Sequence, residues 1–242
     1  SINIKDDRHF GAICFPDDNT GYVVGDFIIK TTDGGNTWKS QSFKNVNLNA
    51  ITRENTIFTL FAVGDSGAIL KSSDDGVTWS VLNSGTTKNL NSIFFSSGSD
   101  IFVAGDSGTV LRSTDLGTTW SHINSGTSFN LNCISQNDQD NFYNFFVFGD
   151  YGTIRQTTDA GNTWIVHNSG TTKNLNDYNN KVKYAVGDSG IVLRYNNGTW
   201  SAKPYVTNNN LNSIFYDSST EPGLITGDKG TLIRLNANNE PV

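Results

Sequence analysis

Short runs of apolar residues alternate along this chain with polar stretches rich in Gly, Asn, Ser and Thr. No segment keeps the i, i+3, i+4 apolar spacing of an amphipathic helix over several turns. Asn, Ser and Gly favour turns over helix interiors. The pattern therefore predicts an all-β protein made of short strands joined by many turns.

A Gly-Asp pair recurs six times in the sequence, at intervals of 38 to 44 residues. The glycines of the pairs are Gly25, Gly64, Gly105, Gly149, Gly187 and Gly227. Longer stretches repeat as well, since residues 90–94 read LNSIF and residues 211–215 read the same. A period near 40 residues with strand-like content is typical of a β-propeller, in which each repeat is one four-stranded blade. We therefore predict six blades.

Each repeat divides into four strands, which we name A to D. Strand A is the LNSIF-type segment, predicted at Leu48–Thr52, Leu90–Phe94, Leu131–Ser135 and Leu211–Phe215. Strand B runs into the Gly-Asp pair, and a D-S-G type turn leads to strand C. A second turn, D-x-G-x-T-W, leads to strand D. Imperfect alternation within the strands indicates burial on both faces between neighbouring blades.

The two ends of the chain complement one another. The sixth repeat stops before its strand D, and aligning Phe10 with Leu131 places Ile2 opposite Ile123, inside a strand D. We therefore predict that residues 1–7 complete the last blade and close the ring, which removes two open sheet edges. The prediction is a single propeller domain, 1–242, with blades at about 9–45, 46–89, 90–130, 131–174, 175–210, and 211–242 plus 1–7.

The turn between strands C and D resembles the Asp-box, or BNR repeat, S/T-x-D-x-G-x-T-W. Four copies fit, at 31–38, 72–79, 113–120 and 157–164, and a reduced copy lies at 196–200. Within such a turn, Asp accepts backbone N–H groups and Trp packs between sheets. We therefore assign its residues a structural role: Asp33, Trp38, Asp74, Trp79, Asp115, Trp120, Asp159 and Trp164.

The combined motif G-D-x-G-x-I/V-L-R/K-S/T-T/S-D-x-G-x-T-W resembles the propellers of the photosystem II assembly/stability factor-like family over essentially the whole chain. That resemblance implies a non-enzymatic assembly or binding platform with an Arg-rich binding surface. The photosynthetic members look seven-bladed, whereas this sequence has six repeats. The resemblance therefore implies for this chain only the general fold and a binding role.

A basic side chain recurs in strand C, where it either pairs within the repeat or forms a basic patch for an acidic partner. This row comprises Lys30, Lys71, Arg112, Arg194 and Arg234, and Gln156 interrupts it. Asp-box propellers also include sialidases, which need an Arg cluster and a Tyr nucleophile with a Glu partner. Glu is scarce, no carboxylate pair stands outside the repeat, and no HExxH, CxxC or EF-hand motif occurs. We therefore predict no enzyme activity, no cofactor and no metal site.

Strand alternation places the D–A loops and B–C turns at one end of each blade. The resemblance to other propellers implies that ligands bind on this face. Two rows of polar residues lie there. They are Asn49, Asn91, Asn132, Asn176 and Asn212 at the start of strand A, and Asp65, Asp106, Asp150, Asp188 and Asp228 in the B–C turn. Amides both donate and accept hydrogen bonds, which suits sugar hydroxyls. The alternative is that these side chains cap turns and hold neighbouring strands together.

Charge narrows the choice of partner. The 242 residues carry 17 Lys and Arg against 23 Asp and Glu, a net charge of −6, so we expect no nucleic-acid partner. No long apolar run is present, so we expect no membrane insertion. The prediction is a secreted, periplasmic or cell-surface monomer that binds a protein on the D–A and B–C face. Its rivals are a lectin-like propeller that binds glycans at repeated sites and, behind it, a sialidase-like glycosidase.

Overall fold

Short antiparallel strands account for nearly all the regular structure, as the sequence predicts. The structure, a computed structural model, describes residues 9–41, 46–54, 58–96, 99–137, 143–204, 207–216, 222–236 and 240–241. Within these residues the strands form six sheets in chain order, which are the six blades of an all-β propeller fold. The chain divides into two compact units, residues 1–123 and 124–242.

The first unit contains three four-stranded sheets among its described residues. The first sheet is β1 (Phe10–Cys14), β2 (Gly21–Gly25), β3 (Ile28–Thr31) and β4 (Lys39–Gln41). The second is β5 (Leu48–Glu54), β6 (Thr59–Gly64), β7 (Ile69–Ser72) and β8 (Ser80–Leu82). The third is β9 (Leu90–Phe95), β10 (Ile101–Gly105), β11 (Thr109–Ser113) and β12, which ends at the unit boundary (Ser121–Asn124).

The second unit repeats this plan. Its sheets are β13 (Leu131–Gln136), β14 (Phe145–Gly149), β15 (Ile154–Thr157) and β16 (Ile165–Val166), then β17 (Leu175–Asn179), β18 (Tyr184–Gly187), β19 (Val192–Asn196) and β20 (Thr199–Ala202). The last sheet is β21 (Leu211–Phe215), β22 (Leu224–Gly227) and β23 (Thr231–Arg234). All four strand A segments predicted from the sequence are present, three of them one or two residues longer than predicted.

The core of each unit lies between neighbouring sheets and is centred on strand B. Every residue of β2, β6, β10, β14 and β18 is buried. Phe61, Leu90 and Val103 pack together in the first unit. Phe148 and Leu193 do so in the second. Strands buried on both faces lose the clean polar–apolar alternation of a half-exposed sheet, which explains the imperfect sequence pattern.

The segments joining strands B and C are tight hairpin turns. In the second sheet, Ser66 and Gly67 both have positive φ, at 56° and 77°, and the Ala68 N–H donates to the Asp65 carbonyl at 3.1 Å. This is the geometry of a type I′ turn, which suits the twist of a two-residue β-hairpin. No helix among the described residues is long and apolar enough to cross a membrane.

The predicted closing strand, residues 1–7, lies outside the described residues, so ring closure stays a prediction. The described part of the sixth blade has three strands and one further bridge, between Leu235 and Pro241. The Asn236 N–H donates to the Glu240 carbonyl at 2.8 Å. The Glu240 carboxylate binds Arg194 and Lys203 of the fifth blade.

Candidate functional site

The repeated Asn of strand A sits at a β-bulge. The pairing register of β5 with β6 shifts between Leu48 and Ala50, so Asn49 has no partner residue in β6. A bulge re-aims its side chain, and here the Asn49 Nδ2 donates to Asp65 Oδ1 at 3.1 Å and to the carbonyl of Leu90, in the next blade, at 3.0 Å. The two rows predicted from the sequence are therefore brought together. Each Asn pairs with the Asp of its own blade, at 2.8–3.2 Å, in the pairs Asn49–Asp65, Asn91–Asp106, Asn132–Asp150, Asn176–Asp188 and Asn212–Asp228.

The first blade has Gly11 at the bulge for a steric reason. A Cβ at this position would collide with the Leu48 carbonyl of the second blade. Where the second, fourth and fifth blades reach their neighbour through an Asn amide, the first blade lets the neighbouring backbone approach directly. The exception in the sequence thus serves the same contact between blades.

A second Asn, two residues earlier in N-L-N, also joins blades and was missed by the sequence analysis. The Asn89 side-chain oxygen accepts the backbone N–H of Ser66, in the preceding B–C turn, at 3.0 Å. Asn174 accepts from Tyr151 in the same way at 3.1 Å. The signal was present, because this Asn recurs as regularly as the one that was chosen. In the second, fourth and fifth blades, N-L-N therefore ties the B–C turn to the D–A loop beside it.

The carboxylates on this face accept hydrogen bonds from these amides. Both oxygens of Asp150 accept amide N–H groups, from Asn130 at 3.0 Å and from Asn132 at 3.2 Å. Within the described part of the chain, no group of three or more His, Cys, Asp or Glu residues is placed to hold a metal ion. The arrangement is a hydrogen-bonded belt that links turns and strands.

The C–D turns lie at the other end of the blades. Asp74 accepts the Thr78 hydroxyl at 2.6 Å, the Thr78 backbone N–H at 2.8 Å and the Ser72 hydroxyl at 2.8 Å. These bonds, the Thr78 hydroxyl foremost, lower the pKa of Asp74 to about 2, because they favour the ionised carboxylate. Asp33 and Asp115 accept equivalent hydrogen bonds within their own turns, and each has a pKa of about 2. The pKa of Asp159 is also lowered, chiefly by the Thr163 hydroxyl.

The tryptophans of these turns are half-buried against the core. Trp38 donates from Nε1 to the Gly35 carbonyl at 3.0 Å, and Trp164 meets the Phe145 ring edge-on. Trp79 and Trp120 pack beside the inter-blade clusters of the first unit.

The strand C cations stack on aromatic rings of strand B in their own blades. Lys30 lies over Tyr22, Lys71 over Phe61, Arg112 over Phe102 and Arg194 over Tyr184, each 5.4–5.7 Å from the ring centroid. Their polar partners differ. Lys71 donates to the Leu116 carbonyl of the next blade, and Arg112 to Asp100 of its own blade at 2.6 Å. Within the described residues, Arg234 is exposed and has no polar partner.

One cluster at the C–D end brings a Tyr, an Asp and two basic side chains together, which are residue types that also occur in enzyme active sites. Asp75 accepts the Tyr22 hydroxyl at 2.6 Å and the Lys30 ammonium at 2.7 Å, and Arg53 lies 3.4 Å away. Burial, followed by the bond to Asp75, raises the pKa of Tyr22 far above its ordinary value. Tyr22 is fully buried and the Asp75 side chain is partly exposed, so the cluster is a partly buried ion pair that joins the first and second blades.

A cleft in the second unit gathers residues that depart from the repeat. We call it the 129/151 cleft; it has a volume of about 300 Å³ and is lined by residues between 127 and 171. Phe129 stands where other repeats have Lys88 and Lys173, and Tyr151 where they have Ser66, Ser107 and Ser189. Arg155 replaces a buried apolar residue, Leu70, Leu111 or Leu193. His167 occupies the place of Leu82 and Ile123.

The cleft belongs to the D–A and B–C end of the blades. Phe129 is in a D–A loop and Tyr151 in a B–C turn, and their rings lie 5.0 Å apart between centroids. The His167 ring contacts the Gln156 side-chain oxygen at 2.9 Å and packs edge-on against Phe146. Burial lowers the pKa of His167, since it disfavours the imidazolium form. The sequence signal for the cleft was the loss of the repeat at these positions.

Solved structures share the fold of this chain at low sequence identity. A structure described as YCF48 bound to D1 peptide is 16% identical with a TM-score of 0.74, over 96% of this chain and 79% of that one. YCF48 from Cyanidioschyzon merolae is 15% identical with a TM-score of 0.52, over 96% and 97%. The predicted resemblance to the photosystem II assembly-factor propellers is therefore confirmed at the level of fold. No family model and no curated protein matches the sequence.

Glycoside hydrolase propellers share the fold as well. The GH74 xyloglucanase from Xanthomonas campestris is 11% identical with a TM-score of 0.77, over 97% of this chain and 45% of that one. An ancestral GH74 enzyme is 16% identical with a TM-score of 0.74, over 97% and 38%. This chain thus spans less than half the length of these enzymes. The likeness to both groups is one of fold.

Proposed function

We propose that this chain is a non-catalytic propeller that binds a segment of a partner protein on the face formed by the D–A loops and B–C turns. The observation that carries the proposal is the contrast on that face. The repeated Asn and Asp side chains bond to one another, while the residues that break the repeat form an open cleft with exposed aromatic rings. Exposed aromatic groups are typical of binding surfaces.

The likeness to a YCF48 structure that holds a D1 peptide supports a peptide-binding role for this type of fold. The partner we propose is a protein segment of unspecified origin, since identity near 16% carries the fold alone. We propose no cofactor, because the carboxylates of the face accept amide hydrogen bonds and the Asp75 carboxylate is engaged by Tyr22 and Lys30.

A glycan-binding propeller is the second candidate. Tyr151 is 65% exposed and lies in one cleft with the polar side chains of Asn168 and Thr171, a combination that also suits a sugar ring. The GH74 structures have the same fold. The first candidate predicts that the chain binds peptides, and the second predicts that it binds glycans.

The deciding experiment exposes the purified chain to a displayed random-peptide library, a glycan array and soluble xyloglucan. The proposal predicts enriched peptides whose binding falls when Tyr151→Ser removes the exposed ring, and no release of oligosaccharide. The matched control is Val77→Thr, which changes an exposed residue at the opposite end of the blades to the residue of the third repeat. Glycan binding without peptide enrichment, or turnover of xyloglucan, would contradict the proposal.

A further inference from the structure

Arg155 is a cation without a polar partner in the described structure. It lines the 129/151 cleft and is half-buried, and its Nε is buried without a hydrogen bond. A Cβ placed on Gly126 would lie 3.4 Å from its Nη1, so the guanidinium lies against the D–A loop. Lys30 and Arg112, in strand C of other blades, are each paired with a carboxylate. An unpaired, partly desolvated guanidinium favours an anionic partner.

The charge around the cleft supports an anion from outside the chain. No Asp or Glu side chain is among the described residues that line it, although the whole chain carries a net charge of −6. Arg presents a planar fork of N–H donors that matches a carboxylate in two-point contact. The position is also unusual within the fold, because the corresponding residues Leu70, Leu111 and Leu193 are fully buried.

The apolar part of the cleft lies beside this cation. Phe129 is 45% and Val166 is 67% exposed, and the Tyr151 ring stands next to Phe129. A volume of about 300 Å³ is at the lower end of the usual range for ligand sites, so it fits one or two side chains. An adjoining shallow depression shares Asn168 and Thr171 with the cleft and lengthens it into a groove. A groove of this kind suits an extended segment.

We infer that the 129/151 cleft recognises a short extended segment in which a bulky apolar or aromatic side chain lies next to an Asp or Glu. The apolar side chain packs against Phe129 and Tyr151, and the carboxylate accepts hydrogen bonds from Arg155. This inference rests on the proposed function and adds the chemistry of the segment. It assigns the specificity of binding to the four residues of the cleft that depart from the repeat. One of them, His167, is held in the wall of the cleft by its contact with Gln156.

The test uses fluorescein-labelled peptides and the intact chain, with binding followed by fluorescence anisotropy. One peptide carries Phe beside Glu in a Gly-Ser background, a second replaces Glu by Gln, and a third replaces Phe by Ser. The protein variants are Tyr151→Ser and Arg155→Leu, which restore the residues of other repeats, and Phe129→Gln, which adds no charge. Ser189→Tyr, at the same turn position in the next blade, is the matched control.

We expect the Phe-Glu peptide to bind the unaltered chain at least about tenfold more tightly than either altered peptide. Arg155→Leu is expected to lose about tenfold for the Glu peptide and to leave the Gln peptide unchanged, a coupling that a general loss of structure does not produce. Circular dichroism establishes that each variant is folded, and Ser189→Tyr should bind like the unaltered chain.

Equal binding of the Glu and Gln peptides, or full binding by the folded Arg155→Leu variant, would overturn the inference. If the designed peptides fail while other peptides from the random library bind this face, the inference is wrong and the proposed function stands. If the library yields no ligand and glycans bind, both are wrong.

Discussion

The Phe129 and Tyr151 rings lie 5.0 Å apart between centroids, with their planes tilted by 44°. One belongs to a D–A loop and the other to a B–C turn, and both replace polar residues of the repeat. Since Tyr151 is 65% exposed, its ring contributes little to the core. An exposed aromatic pair on this face is consistent with the proposed binding role.

We therefore expect Tyr151→Ser to change the free energy of unfolding by no more than about 0.5 kcal/mol while weakening peptide binding. Phe148→Ala is the contrasting variant, because Phe148 is fully buried and its truncation should cost about 3–5 kcal/mol. Urea denaturation followed by Trp fluorescence measures both. A large loss of stability in Tyr151→Ser would show that the ring is structural.

Asn132→Ala should destabilise the fold by about 1–3 kcal/mol, because it leaves the Leu175 carbonyl and the Asp150 carboxylate short of a donor. The Asn132 Nδ2 donates to these groups at 3.1 and 3.2 Å. Asn162→Val is the control, since Asn162 is exposed, its side-chain bond to the Asp159 carbonyl lies at the surface, and the second repeat has Val77 there. Its effect should stay within about 0.5 kcal/mol in the same denaturation assay. Equal effects of the two changes would contradict a structural role for the Asn row.

Lys30 and Arg234 occupy the same repeat position but should behave differently. Lys30 binds Asp75 at 2.7 Å with its side chain largely buried, whereas Arg234 is exposed and has no polar partner in the described structure. Lys30→Met should cost about 1–3 kcal/mol, a value reduced by the partial exposure of Asp75. Arg234→Met should be nearly neutral. A double-mutant cycle of Lys30→Met with Asp75→Asn measures the coupling, and additive effects would argue against the pair.

The C–D turns predict how stability depends on acid. The pKa values of Asp33, Asp74 and Asp115 are about 2 in the folded chain, below the ordinary value near 3.8. A carboxyl whose pKa is lowered by folding stabilises the fold above its unfolded pKa, and that contribution is lost as pH falls. Stability should therefore decline between about pH 4 and pH 2.

The measurement for this prediction is a series of urea midpoints from pH 7 to pH 2. Asp74→Asn should lower the midpoint at pH 7 and make the decline below pH 4 shallower, because one titrating group is gone. Thr78, which donates two of the bonds to Asp74, offers a matched change: Thr78→Val keeps the shape, removes the hydroxyl donor and should raise the Asp74 pKa. An unchanged acid limb in both variants would refute the assignment.

The repeat made the fold predictable. Its period gave six blades, and the N-L-N and Gly-Asp positions marked the strand A starts and the B–C turns. The hydrogen bonds between the Asn row and the Asp row were harder to predict from the sequence. The β-bulge at Asn49 sets the direction of the Asn side chain, and the residue type does not reveal the bulge. The row of basic residues shared a position in the repeat, yet Lys71 reaches the next blade and Arg112 its own.

The cleft was the part that sequence reasoning missed. Phe129, Tyr151, Arg155 and His167 are each unremarkable alone, and they lie in different loops and strands. Folding brings them to one place because the D–A loop, the B–C turn and the outer strand of a blade meet at the same end. Reading the repeat for its departures as well as its matches would have selected these residues.

The central claim is that this face binds a protein segment, and nuclear magnetic resonance of the ¹⁵N-labelled chain tests it most directly. The tightest peptide from the random library is titrated into the labelled chain, and amide shifts are mapped onto the sequence. The account predicts that the largest changes fall at residues 126–129, 151–155 and 166–171, which flank the 129/151 cleft. Changes concentrated in the C–D turns at 74–77 and 115–118, or a library that yields no binding peptide, would contradict it.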